Sequence, residues 1–153
     1  MLGSVIFVSL FLTIPANEEE EVSTLEPYAA PKLSRVLVGE TEIFVEVVDT
    51  PKERTQGLSG RETLKENEGM LFIFEKSSVY SFWMKEMRFS IDIIWIDESF
   101  RVADITERAN PESFPNTFNP NVPIRYVLEV PAGFIQKYAI ARGGRVTFFL
   151  EKN

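Results

Sequence analysis

A mainly β domain of the α+β class is predicted for residues 34–153: a barrel-like or sandwich-like antiparallel sheet of about eight strands with two short helices. Three observations carry this expectation. Short apolar runs of strand length recur along the chain, turn residues separate them, and only two stretches carry helix start and stop signals. Strands at such short spacing favour hairpins over the long crossovers of a parallel α/β sheet.

The elements follow in order. Val36 and Val38 alternate with other residues, Gly39-Glu40 interrupts, and Ile43, Val45 and Val47 resume with period two, which predicts a hairpin. Thr50-Pro51-Lys52-Glu53 supplies an N-cap Thr, Pro at the first helical position and Glu three residues after the cap. Gly57 and Gly60 stop that helix after about two turns. Met70 to Phe74 is a continuous apolar run, and Val79 to Met84 is rich in β-prone residues. Ile91 to Asp97 is expected as a buried central strand, turning at Glu98-Ser99 into a strand from Phe100 to Arg108. Pro111, Pro115, Pro120 and Pro123 make Ala109 to Pro123 a long loop through which no strand is expected to run. Arg125 to Val130 is a further strand, Pro131 to Ala141 a helix ending at Gly143-Gly144, and Arg145 to Leu150 the last strand.

Two segments precede the domain. Residues 1–16 contain an apolar run from Leu2 to Ile14, long enough for the core of a secretory signal and short of the ~20 residues that span a bilayer. Cleavage after Ala16 is possible; the run lacks a preceding Lys or Arg, and no Cys is present for a lipid anchor. Residues 17–33 are rich in Glu and Pro without a strand or helix period, as in a solvated linker. An exported or membrane-tethered, extracytoplasmic protein is the expectation.

Composition removes many chemistries. The 153 residues include no His and no Cys, which excludes zinc sites built on those ligands, Ser-His-Asp and Cys-His nucleophiles, disulfides and thiol redox reactions. No metal site or cofactor is implied. The net charge of -7 argues against nucleic acid as a partner. Five Glu and one Lys precede Ser34, so the domain itself is close to charge balance and its charge says little about its partners.

Several polar residues interrupt the apolar pattern. Asp92 falls among Ile residues of the central strand, where a carboxylate is costly unless paired, and Lys85 and Arg88 are its expected partners. A backbone-capping role for Asp92 is the plainer alternative to a ligand or catalytic role. Trp83 and Lys85, placed on one strand face, would set an indole beside an ammonium; otherwise Trp83 is core and Lys85 reaches past it to water. Arg54 and Arg61 flank Gly57-Leu58-Ser59-Gly60, where guanidinium groups either bind an anion or brace neighbouring carbonyls and carboxylates.

Taken together, Glu53 to Arg61, Glu68 to Phe74, Phe82-Trp83-Met84-Lys85, Ile91-Asp92-Ile93 and Arg125 to Val130 resemble the domain-of-unknown-function family 192, in that order, from about Val36 to Leu150. The resemblance implies a small β-rich domain, often in exported bacterial or archaeal proteins, without an established activity. The family commonly has Asn after the Lys, Pro before the Asp and Gly-Asp near the end, where this chain has Glu86, Ser90 and Gly144. It often carries cysteines in the loop equivalent to Ala109–Pro123, and this chain has none.

Three functions compete. The first is an extracytoplasmic binding module with Arg54, Arg61, Trp83, Lys85 and Asp92 as its site, for an anionic small molecule or a cell-wall glycan. The second is a carboxylate-dependent hydrolase or lyase using Asp92, for which no second acid stands out. The third is a structural interaction domain of the cell envelope. Binding stands ahead of catalysis, and oligomeric state is left open.

Overall fold

Alternation of apolar and polar residues drives the sheet that organises the chain, and the computed structural model describes it for residues 34–151. Nine strands form among the described residues: β1 (Ser34–Val38), β2 (Thr41–Val48), β3 (Glu68–Ser78), β4 (Phe82–Trp83), β5 (Ile91–Ile96), β6 (Val102–Ala109), β7 (Thr117–Phe118), β8 (Ile124–Pro131) and β9 (Val146–Phe149). Two helices, α1 (Pro51–Gln56) and α2 (Phe134–Lys137), and a 3-10 turn at Pro111–Ser113 complete the elements. The signal-like segment and the linker expected at residues 1–33 lie outside the described residues.

Seven strands make one sheet in the order β6-β5-β8-β3-β2-β1-β9, and β4 pairs with β7 in a separate ribbon. Every pairing is antiparallel except β2 with β3, which run parallel because α1 and its loop carry the chain between them. The sheet curls into a half-barrel until its edges meet. Val102 donates its N–H to the Gly144 carbonyl and Gly143 returns one to Val102, while Arg101 and Arg145 bridge the two ends.

The curl separates two cores. Within it, side chains from β1, β2, β3, β5, β6, β8 and β9 pack together, including Ile43, Leu71, Ile94, Leu128 and Val146, and Phe134 and Ile135 of α2 join them. On the opposite face Met70, Phe72, Met84, Ile93, Trp95 and Val127 form the second core, beneath the segments that carry α1, β4 and β7. Trp95 is fully buried and donates its indole N–H to Thr106 Oγ1 at 3.0 Å. All six residues of β5 are buried because both faces of this interior strand are covered, as its apolar sequence, broken only by Asp92, predicts.

Several elements differ from expectation. Between Val79 and Met84 only Phe82–Trp83 pairs as strand. The proline-rich loop does hold a strand, β7, whose two residues fit between Pro115 and Pro120 and pair Phe118 with Phe82 and Thr117 with Trp83. The expected helix from Pro131 shrinks to four residues: Pro131 still belongs to β8, Gly133 at φ 90° opens α2, and Ala139 at φ 51° stops it.

Candidate functional site

The site is built from the segment that caps α1. Thr50 Oγ1 accepts the N–H of Glu53 at 3.3 Å, and Glu53 Oε2 accepts the N–H of Thr50 at 3.2 Å, closing the capping box that the sequence announces. Gly57, at φ 47°, turns the chain where an added Cβ would stand 3.3 Å from the Phe72 ring. The following loop is tied to the segment after β4: Ser59 Oγ donates to the Lys85 carbonyl at 2.8 Å, and the Gly60 N–H donates to the Glu86 carbonyl at 2.9 Å.

Between these tied segments lies an inner hollow of about 320 Å³, lined by Arg54, Gln56, Phe72, Tyr80, Trp83 and Glu129 among others. An outer hollow of about 470 Å³ shares Pro51, Thr55, Gln56, Ser59 and Trp83 with it and adds Lys52, Lys85 and Glu86. Trp83, 48% exposed, is common to both. The half-exposed indole therefore borders two connected spaces of different polarity, one rich in aromatic rings and one flanked by two ammonium groups.

Three of the five sequence-singled residues converge here. Trp83 borders both hollows, Lys85 the outer one and Arg54 the inner one. The Arg54 guanidinium braces the structure: it donates to the carbonyls of Asp49 and of Ile73, the latter at 2.8 Å, and lies 5.0 Å from the centre of the Phe74 ring. Lys85 follows β4, with its Nζ 3.8 Å from Glu86 at an exposed position where the pairing is weak.

The other two residues lie elsewhere. Arg61 forms a bidentate pair with Glu46 at 2.7 and 2.5 Å, whose hydrogen bonds lower the Glu46 pKa and raise that of Arg61. Asp92 is fully buried, and its carboxylate accepts the backbone N–H groups of Arg108 at 2.8 Å, Gly133 at 3.0 Å and Ile135 at 2.9 Å. Those amides replace the expected partners, since Lys85 faces Glu86 and Arg88 pairs with Glu62. Sealed and saturated in this way, Asp92 pins the start of α2 to the end of β6 and has no free oxygen for acid–base work.

Glu129 is a member of the site that the polar-residue reading passed over. It is 5% exposed, faces the second core beside Met70 of β3 and Ile93 of β5, and borders the inner hollow. No side-chain hydrogen bond reaches it among the described residues, and burial pushes its pKa up to about 8 against a weaker opposing pull from Arg61. Its signal in the sequence was one acid within the apolar run Tyr126 to Val130, in phase with Val127, which faces the same second core.

A small half-barrel domain carrying a two-part hollow on its outer face is thus the class that the fold and site define. The chain belongs to the family described as uncharacterized ACR, DUF192, whose model matches residues 35–148. It is similar to the crystal structure of a candidate transcription regulator from Sinorhizobium meliloti, with 29% identity, TM-score 0.71, and coverage of 75% of this chain and 92% of that one. It is also similar to a protein of unknown function from Novosphingobium aromaticivorans, with 27% identity, TM-score 0.72, and coverage of 79% and 89%. No curated protein matches the sequence.

Proposed function

We propose that the domain is a small-molecule binding module, acting outside the cytoplasm, whose ligand lies against Trp83 with an anionic group directed to Lys52 and Lys85. The single observation that carries this reading is the half-exposed Trp83 indole bordering both hollows, with two ammonium groups on the outer side. An exposed aromatic face beside a few polar groups suits an oriented ligand. Thr55, Gln56 and Ser59 add hydroxyl and amide groups along the shared wall, which suits a ligand with oxygen functions. The hydrolase reading loses its acid with the sealing of Asp92. Gene regulation, the description given to the Sinorhizobium relative, lacks support here because the domain, with the five Glu and one Lys before Ser34 set aside, holds 18 acidic and 15 basic side chains and so no excess of positive charge.

Calorimetric titration with a panel of organic acids and glycan fragments tests the proposal. At least one acid should bind, with affinity falling about tenfold or more in Trp83→Ala and Lys85→Ala. Unchanged binding in both variants would exclude this site. Fractionation of cells expressing the full chain tests the extracytoplasmic part, and recovery of the domain in the cytoplasm alone would reject it.

A further inference from the structure

Three carboxylates are buried among the described residues, Asp92, Asp104 and Glu129. Asp92 takes three backbone amides, and Asp104 takes Arg142, Asn121 and the Ile105 N–H. Glu129 takes no side-chain donor among the described residues, and it borders a hollow. A carboxylate taken out of water in this way is stabilised by a cation that enters with it.

The protein's own cations do not fill that role. Arg54 shares the hollow but is committed to two backbone carbonyls and the Phe74 ring. Arg61 acts on Glu129 only at a distance, because its guanidinium is occupied by Glu46. Five aromatic side chains, Phe72, Phe74, Tyr80, Phe82 and Trp83, border the same space, together with polar groups of Thr55, Gln56, Ser59 and Ser81. Ring faces attract ammonium groups, most strongly where water is excluded.

We infer that the inner hollow is an amine subsite, in which Glu129 is the counter-ion for a protonated primary amine and Trp83 and Tyr80 flank it. Taken with the proposed anion contact at Lys52 and Lys85, on which this part rests, the ligand is zwitterionic, with its ammonium inward and its anionic group outward. Amino acids, short peptides and ω-amino acids have this chemistry. The raised pKa of Glu129 agrees with an acid awaiting its cation, and binding of an amine would restore the ionised form.

The full chain titrated with ω-amino acids of four to six carbons, the matching carboxylates and butylamine separates the two halves of the ligand. Amino acids should bind about tenfold more tightly than their matching carboxylates. That advantage should vanish in Glu129→Gln. In carbon-detected NMR, butylamine should move the Glu129 carboxyl titration to lower pH. Amino acids that bind no better than carboxylates, with an unmoved Glu129 titration, would overturn the amine subsite while leaving the anion site standing. A butylamine effect without any carboxylate binding would keep the subsite and remove the outer contact. Failure of every probe to bind would remove both.

Discussion

A Cβ placed on Gly69 would stand 2.7 Å from the backbone oxygen of Glu129. This close approach holds β3 against β8 where the buried acid departs from the sheet, and backbone atoms cannot yield as a flexible side-chain tip can. Gly69→Ala should therefore destabilise the domain by about 2 kcal/mol, the usual scale for overpacking. Urea unfolding measures it, and an unchanged midpoint would show that the strands part freely at this point.

Asp92 should be a stability residue with no share in binding. In Asp92→Asn one accepting oxygen becomes an NH2 group facing backbone donors, so at least one of the three amides loses its partner. The expected loss is about 2–3 kcal/mol, seen as a lower thermal midpoint, with ligand affinity retained in the folded fraction. Loss of affinity at full stability would return Asp92 to the site.

Stability should decline on both sides of a pH range, for different reasons. Burial opposes ionisation of Asp104, but the Asn121 amide, Arg142 and the Ile105 N–H outweigh it and hold the pKa at about 2. Its contribution is present above the ordinary carboxylate value of 3.8 and is lost as pH falls through about 2. Glu129 works in the opposite direction. Its folded pKa of about 8 lies above the ordinary 4.5, so between these values the folded protein holds a proton that the unfolded chain has released. Stability then falls as pH rises through that window and levels off above it. Glu129→Gln should be free of this decline and gain on the wild type by a few kcal/mol between pH 5 and 9 in chemical denaturation. A pH-independent difference between the two proteins would refute the assignment.

Glu86 has φ 57°, a conformation costly for most side chains and easier for Asn or Gly. That geometry gives a physical reason for the Asn commonly found after the Lys in the family, and it places strain in the turn beside Lys85. Glu86→Asn should raise stability by about 0.5–1 kcal/mol. A lower melting temperature would mean that the Glu86 carboxylate earns its place through its neighbours.

Much of the fold was legible because strong local rules spoke for it. The capping box at Thr50 and Glu53, the apolar run of β5 and the alternation in β2 each appear in the structure where the residues put them. The short elements were not legible. β4 and β7 exist through each other across more than thirty residues, and a pairing of that separation leaves no period in either segment. The start of α2 depends on an Asp92 carboxylate delivered by a distant strand. Site reading divided along the same line: Trp83 and Lys85 stand together because they are neighbours, whereas Glu129 reaches the hollow only through the registry of β8 with β3 and β5.

The joining of β6 to β9 through Val102, Gly143 and Gly144 has a consequence for synthesis. Until Val146–Phe149 has been made, β1 lacks one neighbour and β6 has nothing to meet, so a growing chain offers two unpaired strand borders to any other chain nearby. Protection against self-association thus arrives with the final strand. A truncation just before Arg145 should collect in inclusion bodies even though it retains every residue around Trp83.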